Sequence, residues 1–99
     1  LGGDQRAAAT LRTEVYVPLA ASGSPLLATL DAYLAHGGAL EPAARALFVH
    51  PNTMRYRLRR VAEITGRDPW LPRDMLALNV ALILGRLGAP GAASSDRRP

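Results

Sequence analysis

Apolar positions recur along this chain with the 3.6-residue spacing of a helix in five stretches, and no stretch alternates with the period of two that a strand requires. The first stretch covers residues 4 to 17, with Leu11, Val15 and Leu19 facing inward and Pro18 expected to end it. The second covers residues 25 to 36, where Leu26, Leu27, Leu30, Tyr33 and Leu34 form a broad apolar stripe. Ser24 is its expected cap, Pro25 its first position, and Gly37-Gly38 its stop. A short third helix over residues 41 to 47 tolerates Pro42 in its first turn. A fourth runs from Pro51 to Thr65 and stops at Gly66, and after a turn through Arg67, Asp68, Pro69 and Trp70 a fifth runs from Pro72 to about Leu87. The predicted fold class is all-α, a small helical bundle of about five helices.

The third and fourth stretches belong together. Met54, Leu58, Val61 and Thr65 fall at steps of four, three and four, so they share one side of the fourth helix. Asn52, Tyr56, Arg59 and Glu63 lie opposite, flanked by Arg55 and Arg60. Pro51 suits the first helical position, where its missing N–H costs nothing, and His50 precedes it as the cap. In the third stretch Ala43, Ala44 and Leu47 supply an apolar side, with Ala44 small enough for two helices to cross closely, and Val49 plugs the intervening turn. This is the spacing of a helix-turn-helix unit, whose second helix enters the DNA major groove. Phe48 departs from the pattern, because such units often place Gly there to reach a positive φ. With Phe in that place, the expectation is either a turn of different form or a ring packed beneath it.

The fifth stretch has no polar face. Met75, Leu76, Leu78, Val80, Leu82, Ile83, Leu84 and Leu87 surround it, which requires central burial or a partner. Ala77, Ala81 and Gly85 recur every fourth residue as a ridge on which another helix can lie closely. The ridge supports a dimer contact, either across this helix or against the helix over residues 4 to 17, while the alternative is burial within one chain by the second helix and the fourth.

From Pro25 through the run His50-Pro51-Asn52-Thr53-Met54-Arg55-Tyr56-Arg57-Leu58 to Leu84, the chain resembles the carboxy-terminal helix-turn-helix domain of the PucR family of bacterial transcriptional regulators, also called CdaR-like. The resemblance implies a sequence-specific DNA-binding domain that follows a sensory region and a central domain related to, but usually lacking the activity of, diguanylate cyclases. Under that reading residues 1–23 are a linker helix from the upstream region, residues 24–88 the DNA-binding domain, and residues 89–99 a disordered tail. The implied partners are a double-stranded DNA operator and, in the full-length protein, a second copy or a higher homo-oligomer. An effector would bind the upstream region, and the expected location is the cytoplasm, at the nucleoid.

Recognition chemistry follows from the faces. Arg55 and Arg59 are the candidates for base contact, since a planar guanidinium matches guanine O6 and N7. Asn52 either reads adenine or caps the helix, and Tyr56 meets a thymine methyl or a phosphate. Thr53, Arg57 and Arg60 lie toward the groove edges, where phosphates are nearer. Arg45 meets a phosphate or pairs with Glu41 one turn earlier. His50 fixes the turn and is also a candidate phosphate donor. Read from charge alone, Arg55 and Arg59 would simply solvate a face or pair with Glu63. His36 compensates the dipole at a helix end.

Composition adds exclusions more than positive signals. The 99 residues carry a formal charge of +4, and all 12 basic residues are arginine. Such a surface attracts polyanions, although the absence of lysine reflects GC-rich coding more than recognition. There is no cysteine, hence no disulfide, zinc finger or thiol chemistry. The run Met75 to Leu84, broken by Asn79, falls short of the ~20 residues of a membrane helix. His36 and His50 have no nearby nucleophile and the carboxylates are scattered, so neither catalysis nor a cofactor or metal is expected. Gly2-Gly3-Asp4 begins like a cyclase motif, but Gln5 and Arg6 do not continue it. The competing function is a protein-interaction or dimerisation module working through the apolar helix Met75 to Leu87. Against it stands the one-signed charge of the segment from Arg55 to Arg67, where Glu63 is the single acid.

Overall fold

A computed structural model describes residues 2–23 and 25–88, and every regular element among them is helical. Helix α1 comprises three contiguous segments, Gly2–Leu11, the π-helical Arg12–Tyr16 and Val17–Ala20. It is followed by α2 (Leu26–Ala35), α3 (Leu40–Ala46), α4 (Pro51–Thr65) and α5 (Pro72–Gly88). The expected boundary of α4 is reproduced, and the others move by one or two residues at most, save at α1.

Pro18 does not end α1, which continues to Ala20. A proline inside a helix lacks an N–H and crowds the carbonyl four residues back. The turn just before Pro18 is widened instead: the Val17 N–H reaches back five residues to the Arg12 carbonyl. This π turn shifts the bonding ladder where the ring must pass. The helix therefore carries both Val15 and Leu19 into the core, at 0% and 1% exposure.

Helix α2 begins one residue later than expected, with Pro25 at the N-cap and not at the first helical position. The expected Ser24 cap lies outside the described residues, as does the tail over residues 89–99. The stop is the expected one. Gly37 and Gly38 both take positive φ, and the Gly38 N–H bonds to the Tyr33 carbonyl at 2.9 Å. The imidazole Nδ1 of His36 lies 2.8 Å from the Ala32 carbonyl oxygen at this carboxy-terminal end.

The core collects Val15 and Leu19 from α1, Leu26, Leu30 and Tyr33 from α2, Ala43 and Ala44 from α3, Met54, Leu58 and Val61 from α4, and Leu78, Ala81 and Leu82 from α5. Thr29, the buried polar side chain of that core, is satisfied by the Pro25 carbonyl at 2.7 Å. The Tyr33 phenol is raised above its ordinary 10.0 by burial, and to a lesser degree by the nearby Asp68 carboxylate.

Helix α5 is covered within the chain on one side only. Within the chain this helix packs on α1 more than on α2 or α4. Ala81 is buried, and at Gly85 the Tyr16 ring lies so close that a Cβ would collide with it. The small ridge is thus the seat of a tyrosine from the π segment. The opposite side stays open, leaving Leu76, Ile83 and Leu87 exposed.

Candidate nucleic-acid interface

The interface is built from the turn upward. Ala43 and Ala44 are fully buried at the crossing of α3 and α4, so the two backbones approach without a large side chain between them. The Leu47 N–H bonds to the Ala43 and Ala44 carbonyls, the Phe48 N–H to Arg45 and the Val49 N–H to Ala44, at 3.0–3.2 Å. The chain then reverses and Val49 turns its side chain onto the core. Phe48 makes this reversal possible by adopting φ 58°, the one positive φ outside glycine among the described residues. Both expectations for it are corrected. The turn has the form Gly would give, and the ring does not pack beneath it but stands 95% exposed. The signal available in sequence was the backbone requirement at that place, which overrode the preference of an aromatic ring for burial.

His50 caps α4 through its ring, with Nδ1 accepting the Asn52 N–H at 2.9 Å. A neutral imidazole that accepts at Nδ1 carries its proton at Nε2, and His50 is exposed, so a donor is presented at the entrance of the helix. Asn52 is thereby released from capping. Its side-chain oxygen accepts a bond from Arg55 Nη1 at 2.8 Å, a pairing of i and i+3 on one exposed face.

Helix α4 divides cleanly. Met54, Leu58 and Val61 are each 0% exposed, while Asn52, Arg55, Tyr56, Arg59, Arg60 and Glu63 lie on the open side, with Thr53 and Arg57 half-buried at its edges. Full burial of each of the three apolar side chains contributes about 1.5–3 kcal/mol, which fixes the rotation of the helix and hence the direction of its arginines. Thr65 closes the apolar side by donating its hydroxyl to the Val61 carbonyl at 2.8 Å. Gly66, at φ 73°, ends the helix.

Glu63 is taken by Arg60 at 2.6 Å, not by Arg55 or Arg59. Nor does the Glu41–Arg45 pair form. Among the described residues Arg45, Arg57 and Arg59 have no polar protein partner, and Arg55 bonds only to a neutral amide. The open side of α3 and α4 therefore carries guanidinium charge that the protein leaves unneutralised, which is the arrangement a polyanion requires. Among the described residues no three His, Cys, Asp or Glu side chains gather where they could hold a metal ion. No helix of those residues is long and apolar enough to cross a membrane.

Residues 26–84 match the family described as the PucR C-terminal helix-turn-helix domain. The chain is 56% identical over 90 residues to an uncharacterised protein of Mycobacterium tuberculosis, covering 91% of this chain and 22% of that protein. It is 45% identical over 56 residues to the carbohydrate diacid regulator of Escherichia coli, covering 57% of this chain and 14% of the regulator. A crystal structure of a regulator of polyketide synthase expression from Bifidobacterium adolescentis superposes with a TM-score of 0.82 at 44% identity, over 86% of this chain and 34% of that one. The chain thus spans about a fifth of the length of its mycobacterial relative.

Proposed function

Because this chain belongs to the PucR C-terminal helix-turn-helix family of transcriptional regulators, we propose that it binds an operator in double-stranded DNA by laying α4 in the major groove. The observation that carries the reading is the open face of α4, where Arg55 and Arg59 stand one turn apart without a carboxylate partner. Each guanidinium offers two parallel donors to guanine O6 and N7. Asn52, freed by the His50 cap, is directed to adenine through the amide that now holds Arg55. Tyr56 faces a thymine methyl or a phosphate. His50 Nε2, Thr53, Arg45, Arg57 and Arg60 hold the phosphates on either side and set the register. The action is occupancy without catalysis.

One reader helix spans only a few base pairs, so two domains act together on half-sites about one helical turn apart, ~34 Å. In this reading residues 24–88 are the binding domain, residues 1–23 connect it to an upstream region that receives an effector, and the protein works at the nucleoid in the cytoplasm. A second reading, a protein-interaction module, is favoured by the exposed Leu76, Ile83 and Leu87 on α5. Selection of duplexes from a random library at physiological salt tests the first. A recurring motif with paired half-sites supports it, and its spacing reports the arrangement of the two domains. Failure to retain any duplex moves the function to the face of α5.

A further inference from the structure

Phe48 is exposed at 95% and holds a φ of 58°, whereas the other four positive φ values among the described residues belong to glycines. A left-handed backbone is disfavoured for any side chain with a Cβ, and a phenylalanine in water gains nothing from burial to offset that cost. Glycine would form the same turn without strain. The ring is therefore maintained against both its backbone and its solvation, and what surrounds it indicates the occupant. Arg45 lies three residues before it, exposed, and its carbonyl accepts the Phe48 N–H at 3.1 Å. His50 lies two residues after it, beside the exposed entrance of α4 with Asn52 and Arg55. A lone ring set between cationic and hydrogen-bonding groups is a poor protein-docking surface, which would need contiguous apolar area. It does suit a polyanion whose apolar parts lie between its charges.

We propose that Phe48 packs against an apolar element of the duplex, a deoxyribose face or a thymine 5-methyl, at the edge of the groove entered by α4. This rests on the DNA-reading function proposed above. Phe48 then adds affinity by contact, while Arg45 and His50 on either side hold phosphates.

The test is titration of a duplex selected from the random library with the parent chain, Phe48→Gly and Arg59→Ala, alongside thermal unfolding of each. Phe48→Gly is expected to raise the Tm, because strain is relieved. It is also expected to weaken binding roughly tenfold, as loss of an apolar contact does. The dependence of binding on salt should be unchanged, because no counterion is released by a ring. Replacing thymidine by deoxyuridine in the duplex separates the two sources: weaker binding by the parent but not by Phe48→Gly identifies the methyl, and equal binding identifies the sugar. Parent-like affinity of Phe48→Gly while Arg59→Ala loses binding overturns the role of the ring and leaves the DNA reading standing. Loss of transcriptional regulation by the full-length Phe48→Gly protein with normal duplex affinity would overturn it too, and transfer the ring to a protein partner. If the parent retains no duplex, both the reading and the inference fall.

Discussion

Helices α4 and α5 are of similar length and both contribute three side chains to one core, yet their outer faces differ in kind. Beyond Met54, Leu58 and Val61, α4 presents arginines, Asn52 and Tyr56. Beyond Leu78, Ala81 and Leu82, α5 presents Leu76, Ile83 and Leu87. On α4 the hydrophobic period alone specifies which way the helix is turned, because only one rotation buries the apolar side and leaves the arginines in water. On α5 several rotations bury comparable apolar area, and the one adopted is chosen by shape. Gly85 admits the Tyr16 ring, and Ala81 one turn earlier is fully buried. A charged face can thus be read from sequence with its direction, whereas an apolar helix shows only that it must be covered.

Core truncation on α4 should give the largest effect. Leu58→Ala is expected to destabilise the fold by about 2–5 kcal/mol in denaturant unfolding, and Leu76→Ala on the outer face of α5 by no more than about 0.5 kcal/mol. Comparable losses at the two positions would mean that α5 is turned differently. Next in size, Gly85→Ala forces a methyl into the Tyr16 ring and should cost about 1–3 kcal/mol. Pairing it with Tyr16→Ala should recover part of that loss in a double-mutant cycle, and strict additivity would deny the contact.

Alkaline titration sharpens the comparison from the core side. The Tyr33 phenol is raised above 10.0 in the folded chain, so the folded state holds this proton more tightly than the unfolded one. Its contribution is complete below pH 10 and is lost as pH climbs through the raised value. Stability should therefore decline above about pH 10, with a shallower decline in Tyr33→Phe. Equal slopes in the two proteins would place the alkaline loss elsewhere. The smallest effect belongs to the exposed pair Arg60–Glu63, where Glu63→Gln should change stability by less than about 1 kcal/mol.

Much of the fold, and the placement of the candidate site on the open face of α4, was legible because several local signals agreed. Pro51, the cap at His50, the four-three-four spacing and Gly66 define α4 residue by residue, and Ala44 marks the crossing. The sequence misled where one residue had to satisfy two demands. Pro18 reads as a stop, yet a π turn carries the helix past it because Val15 and Leu19 are both wanted in the core. Phe48 reads as either a turn of different form or a ring packed beneath it, yet the turn takes the backbone Gly would give and points the ring to solvent. The partners of the arginines were also illegible, since rotamers decide whether Glu63 meets Arg59 one turn back or Arg60, and Arg60 takes it.

The direct test of base reading by the open face of α4 is to repeat the duplex selection with Arg59→Ala and compare the enriched motif with that of the parent. A bidentate base contact contributes ~1–3 kcal/mol of discrimination, so one position of each half-site should lose its preference while the others keep theirs. A motif weakened evenly at every position, or one left unchanged, would contradict the assignment of Arg59 as a base reader.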